Sequence, residues 1–269
     1  PTKKSRKGNR FTIGYEKTLL SDGPKNASLM LNVNHFSDMD ALPRYQNVPT
    51  TFDSFSTFNG LWEYSNIRSS QGAVDGERGF RTALGTSVTR VEGDFVPQYL
   101  AELDLGFSLP LKNSSIWLRN AVGGADGDID DPFANFYFGG FGNNYVDRGS
   151  VKRYREFYAM PGFELNEIGG RNFARTMLEW NLPPLRFERG GSPGFYFTWA
   201  RTSIFAQHLS TNLDDSAIRR EVQSAGIQVD FRITILSRMK MTLSFGYARG
   251  FGDDLVEDAD EFMVSLKVL

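Results

Sequence analysis

The residues of this chain that could do chemistry do it by charge. Lys152, Arg153 and Arg155 crowd around Tyr154 in a stretch rich in glycine and aromatics, and carboxylates such as Glu179 and Asp230 fall at the polar phase of alternating segments. Cations carried into a low-dielectric interior need such partners, so one reading is an ion-paired lock; the other is a solvated basic loop tip. Covalent chemistry has less to stand on. His35 and His208 are the only histidines, and neither lies in a motif that would supply a Ser-His-acid triad. The absence of cysteine removes disulfides, thiolate metal sites and Cys nucleophiles together. Asp126, Asp128 and Asp130 have the spacing of a calcium loop, but Asp131 stands where glycine is needed and Tyr137 where glutamate is needed. They read as a solvated turn. No phosphate loop, zinc spacing or dinucleotide fingerprint is present. The expectation is a protein that is not an enzyme and takes neither cofactor nor metal.

The charged stretch sits within residues 136–183, which run from an aromatic strand end through Gly139-Gly140, the basic tip and Gly169-Gly170 to a strand ending in Trp-Asn-Leu-Pro. Connections longer than about 12 to 15 residues are usually functional. This one carries Tyr145, Tyr154, Phe157, Tyr158 and Phe163 beside its cations, so it is expected to pack against something.

What flanks it reads as strands of period two. Phe11, Ile13 and Tyr15 alternate with polar residues, as do Leu29, Leu31 and Val33. Further strands are read at residues 58–67, 81–91, 99–111 and 115–122 before the long connection. After it come 173–182, ended by Pro183-Pro184, then 195–200, 227–235, 239–247 and 262–268. That makes eleven, six before and five after. Residues 37–54 and 253–260 read as loops. In the strand after the connection Leu178 and Trp180 share one face and Arg175, Met177, Glu179 and Asn181 the other, and Asp230 and Arg232 share the polar face of a later strand. A strand apolar on one side and charged on the other needs a membrane or a core on the first and a wet or ion-paired interior on the second. The 23 phenylalanines and 27 glycines are the bias a transmembrane barrel gives, and no apolar run of 18 residues exists for a helical span. A net charge of −2 gives no signature for nucleic acid. The basic start, residues 1–7, has no apolar region behind it and reads as no signal peptide. A soluble β-sandwich has the same alternation and stays open at this level.

The order of features, a glycine pair, a basic-aromatic tip, a second glycine pair and a strand, resembles the inward-folded loop of the BamA/TamA/FhaC superfamily of outer-membrane barrels. The family's tip reads Val-Arg-Gly-Tyr/Phe; here the nearest match is Val151-Lys152-Arg153-Tyr154, with Asp147-Arg148-Gly149-Ser150 second. The resemblance implies an all-β transmembrane antiparallel barrel over residues 1–269. About 12 strands would be visible, as a smaller barrel or the C-terminal part of a 16-stranded one, with residues 139–170 folded into the lumen. It implies a lock built from Lys152, Arg153, Tyr154, Arg155, Glu179 and Asp230, with Gly139, Gly140, Gly169 and Gly170 shaping the loop. The family's Phe-x-Asp-x-Gly acid is missing, since Phe195-Tyr196-Phe197-Thr198 holds that place, so the acidic half is unassigned. Localisation in a bacterial or organelle outer membrane follows, with outer-membrane lipid and client proteins or periplasmic domains as partners. The implied function is insertion or translocation of proteins; the alternative is a passive pore or structural barrel plugged by its loop.

Overall fold

The computed structural model describes residues 8–39, 52–128, 130–143, 146–147, 149–192, 194–236, 238–252 and 259–268. In chain order the strands are β1 (Asn9–Asp22), β2 (Lys25–Ser37), β3 (Phe55–Arg68), β4 (Arg78–Val91), β5 (Asp94–Ser108), β6 (Ser115–Ala125), β7 (Phe136–Phe138), β8 (Val146–Asp147), β9 (Ile168–Gly170), β10 (Asn172–Asn181), β11 (Leu185–Ser192), β12 (Phe195–Thr211), β13 (Arg220–Ile235), β14 (Met239–Gly252) and β15 (Ala259–Val268). The protein is all-β. One large sheet runs β1 to β6 and then β10, β12, β13, β14 and β15, each long strand antiparallel to its neighbours. Its order is the order of the chain, as successive hairpins dictate. Among the described residues β1 pairs only with β2, and the far edge of β15 meets only the two residues of β8, so the sheet is open.

The six strands read before the long connection are present; after it the five that were read correspond to β10, β12, β13, β14 and β15, and β11 is a sixth that the reading lacked. The boundaries shift for local reasons. β5 ends at Ser108, because Pro110 and the turn that follows take Leu109 and Leu111 out of the ladder. Pro183-Pro184 does not end its strand for good: two residues without an N–H to donate interrupt the ladder, and the chain resumes as β11 along the same neighbour, β12. β12 itself runs on to Thr211, where the sequence pattern stops at Ala200. A register shift between Phe197 and Trp199 reverses which residues face inward, so the alternation breaks although the strand does not. Tyr145, Arg148, residues 1–7 and most of 37–54 and 253–260 lie outside the described residues.

The two faces differ in kind. One carries Leu103, Leu178, Trp180, Ile204, Tyr247 and Phe262, all exposed. On the other, Arg175, Glu179, Asn181, Ser203, Gln207, Gln228, Asp230, Ser244 and Lys267 are buried. What buries them is the segment between β6 and β10. Its base is a two-stranded ribbon, β7 against β9. Phe136, Phe138 and Ile168 of the ribbon, with Met160 and Phe163, pack against Phe173, Leu209 and Val222 of the sheet, and beyond them Phe141 and Tyr154 pack with Met177, Phe205, Ala248 and Met263. Fully burying a phenylalanine stabilises by roughly 2 to 3 kcal/mol, so these contacts hold the segment down. Where a ring lies on the sheet the strand beneath carries glycine: a Cβ at Gly246 would come 2.8 Å from the Phe141 ring, and one at Gly250 2.7 Å from the Phe163 ring.

Candidate functional site

Both ends of the segment leave the sheet at one place, where Ala125 N–H donates to the Arg171 carbonyl at 2.9 Å. Its tip lies at the other end of β10, because Lys152 Nζ reaches Asn181 Oδ1 at 2.6 Å. Ten residues of strand separate those points, about 30 Å at roughly 3.3 Å per residue. The segment therefore traverses the whole inner face.

At the tip a short 3₁₀ turn, Arg153–Arg155, sets side chains of consecutive residues in different directions. Tyr154 stacks on Phe205 at 4.4 Å and donates its hydroxyl to Glu179 Oε1 at 2.8 Å. Arg155 donates to Glu179 from Nη2 at 2.6 Å and from Nε at 3.0 Å. Arg119, on β6, donates to the same carboxylate from Nε at 2.8 Å, and Lys152 at 3.3 Å. Glu179 is fully buried, so it is the hub of the site. Lys152 has four acceptors for three protons: Asn181 and Ser203 at 2.6 Å, Asp75 at 3.0 Å, and Glu179.

Asp75 belongs to the connection between β3 and β4, which folds across the end of the inner face. It takes Arg155 Nη2 at 2.7 Å and lies 3.6 Å from Arg201 Nη1. Outward from the hub, Arg119 donates to Asp104 at 2.8 Å and Arg201 to Asp230 at 2.8 Å. Lys152, Arg155, Arg119 and Arg201 thus balance Asp75, Glu179, Asp104 and Asp230. Charges balance within these eight, as a buried ionic cluster requires, and Arg81, 3.8 Å from Asp104, joins them to the more exposed acids Glu102 and Glu63.

Burial favours the neutral acid at Asp75, but Arg155, Lys152 and Arg201 beside it hold its carboxyl well below the usual range. Burial, with Arg155 close by, pulls the Lys152 amine down to about 8 against the pull of Glu179 and Asp75. Burial and the Glu179 charge push the Tyr154 phenol well up, which keeps it a donor.

Of the residues read from sequence, the structure brings together Lys152, Tyr154, Arg155 and Glu179. Arg153 is not among them: the turn points it away, and its Nη2 donates to Tyr158 Oη at 2.7 Å. Asp230 pairs with none of the tip's cations either. Arg201 takes it, and among the described residues it reaches the segment through Gln228, whose Nε2 donates to Asp230 at 2.7 Å and to the Val151 carbonyl at 3.1 Å. The acids that meet the tip's cations are Glu179 and Asp75. Gly139 and Gly140 leave β7 at positive φ, 152° and 67°, while Gly169 and Gly170 lie in β9. Gly139 packs so closely that a Cβ would fall 1.8 Å from the Glu164 carbonyl oxygen.

Sequence reasoning missed Asp75, Arg119 and Arg201 as members of the site. Arg119 carried a signal, since the alternation of β6 puts it on the face of Trp117 and opposite Asp104. Arg201 was hidden by the register shift. Asp75-Gly76 reads only as a turn. Arg175, inward by its phase, holds the tip from below by donating to the Tyr154 carbonyl at 2.8 Å and to Gln207. The histidines bond to serines, His35 to Ser56 and His208 to Ser210, and Asp131 caps the turn before β7 by accepting from Phe133 N–H at 2.8 Å. No protein-family model matches the chain, and no curated protein matches its sequence.

Proposed function

We propose that this sheet is part of the wall of an outer-membrane β-barrel of the BamA/TamA/FhaC type, completed by further strands at its open edges, and that it assists insertion or translocation of other proteins at that membrane. The observation that carries the reading is the inverted distribution of polarity. The covered face is ionic and hydrogen-bonded while the bare face presents Leu103, Leu178, Trp180, Ile204 and Phe262. Water would favour the reverse, and contiguous exposed apolar surface of this extent marks contact with a partner or a membrane. A lipid-facing apolar band over a polar interior is the pattern of transmembrane barrels, and the segment's traverse of about 30 Å matches the hydrocarbon thickness of a bilayer. The ion-paired tip supports the same reading, because it braces the inner face with no chemistry of its own. Lipid is the partner of the outer face; unfolded or partly folded proteins are the clients. No covalent step, cofactor or metal enters.

Two measurements test this. Trp180 lies on the outer face near one end of β10, so in a variant whose other three tryptophans are phenylalanine, lipids brominated near the headgroup end of the acyl chain are expected to quench its emission after reconstitution. A protein that is monodisperse in buffer without detergent, with no such quenching, would sink the membrane assignment. Vesicles containing the chain with whatever strands complete it are expected to speed the insertion of a urea-unfolded client barrel several-fold over empty vesicles. Ion conductance without that acceleration would point to a passive, plugged pore instead.

A further inference from the structure

The connection between β3 and β4 is held in a way that sets it apart from everything else on the inner face. Going along it, the Gly72 carbonyl accepts from Arg186 of β11. The Val74 carbonyl accepts from Arg201 of β12 at 3.1 Å, and the Gly76 carbonyl from Trp117 Nε1 of β6 at 3.1 Å. The Glu77 carboxylate takes Asn113 of the β5–β6 turn at 3.2 Å and the N–H of Ser70. Between them Asp75 meets Lys152 and Arg155 of the tip. Side chains from four other parts of the sheet thus reach a single short run of backbone. None of these residues belongs to either apolar cluster. The run is tied mainly by polar contacts, with Gly76 lying against Ile67 and the Trp117 ring, whereas the tip behind it is held by buried rings. Elements with few buried apolar contacts open at lower cost than the packed structure around them.

Against Asp75 and Gly76 of the run lies an open cleft of about 310 Å³ lined by charge, including Arg81, Glu102, Asp104, Arg119 and Glu156. It is continuous with the ion pairs of the tip, since Lys152, Arg155 and Asp75 also line it.

We propose that residues 72–77 are a latch: an element that opens separately from the segment, closes the end of the inner face and bolts the tip through Asp75. Releasing it removes the wall formed by Asp75 and Gly76 and widens the cleft into the mouth of a path for small charged solutes. That such a path crosses a bilayer rests on the membrane reading above; the latch does not.

The chain has no cysteine, so single cysteines report access cleanly. Ser115, 1% exposed, lies under the latch with its Oγ 3.5 Å from the Gly76 carbonyl. Ser265, equally buried, lies under the segment beside Asn143. In the folded protein a charged methanethiosulfonate is expected to label both S115C and S265C slowly. Asp75→Asn is expected to speed labelling of S115C at least tenfold and leave S265C unchanged. Arg186→Ala removes only a surface tie to Gly72 and is expected to speed S115C several-fold, which decides the matter if Asp75→Asn folds poorly. Unchanged labelling of S115C in Arg186→Ala, or equal acceleration at S265C in either variant, would overturn the latch. Labelling needs no bilayer, so that result and a failed membrane assignment are separate.

Discussion

Replacing Glu179 by Gln keeps the shape of the hub and removes its charge. Three cations then lose a partner at once, but not equally. Arg119 keeps Asp104, and Arg155 and Lys152 must share Asp75. The cluster is left with four cations against three anions, one uncompensated charge in a site where Glu179 itself is fully buried. Removing one partner of a buried pair costs about 3 to 5 kcal/mol. The surviving partners put this case at the low end, about 3 kcal/mol, or on the order of 100-fold in the docking equilibrium of the tip. Trypsin reads that equilibrium directly, because its sites at Lys152, Arg153 and Arg155 are the tip. When opening and closing are fast compared with cleavage, the cleavage rate follows the population of the open form. Glu179→Gln is therefore expected to speed cleavage at 152–155 by about two orders of magnitude, while Glu164→Gln, on the exposed turn of the same segment, leaves it unchanged. Acceleration below about threefold would mean that apolar packing alone holds the tip and that the ionic hub contributes nothing to it.

Other expectations follow from single features. Gly139→Ala, whose Cβ would meet the Glu164 carbonyl at 1.8 Å, is expected to cost about 1 to 3 kcal/mol in a denaturant titration, whereas Gly169→Ala, with nothing nearer than 3.7 Å, stays within about 0.5 kcal/mol; equal losses would refute the close packing of the segment's base. Lys152 gives a pH signature: its amine sits at about 8 in the fold against 10.5 in the free side chain, so in that window the unfolded chain holds the extra proton and stability rises with pH. The denaturation midpoint of the native protein minus that of Lys152→Met is expected to climb between pH 8 and 10, and a fall would reverse the assignment. Leu178→Arg tests the outer face, since an exposed leucine in water tolerates arginine within about 0.5 kcal/mol while a lipid-facing one loses about 2 to 4 kcal/mol, read as the folded fraction in bilayers.

Much of the fold was legible because each strand of the sheet alternates without help from its neighbours. Leu178 and Trp180 against Glu179 and Asn181 state both faces of β10 in four residues, and Met263, Ser265 and Lys267 against Phe262 and Val264 do so for β15. The site was half legible. Lys152, Arg155 and Glu179 stand out as charges among aromatics and glycines, but which cation meets which acid is set by the turn at Arg153–Arg155, which sends Arg155 to Glu179 and Arg153 to Tyr158. Asp75 could not be read, because its role depends on where a connection between two other strands folds. The length of β12 was obscured by one register shift, which silences a period-two signal without weakening the strand.

The direction of the edge strands carries a constraint of its own. Ten antiparallel ladders join β1 to β15, so the two edges point the same way. A ring in which every neighbour is antiparallel contains an even number of strands. Whatever completes this sheet by antiparallel pairing at both edges must therefore add an odd number, and direct pairing of β1 with β15 would have to be parallel. A second copy of the chain, which adds eleven strands, satisfies that count but must face the opposite way, since two copies facing the same way would set β15 of one parallel to β1 of the other.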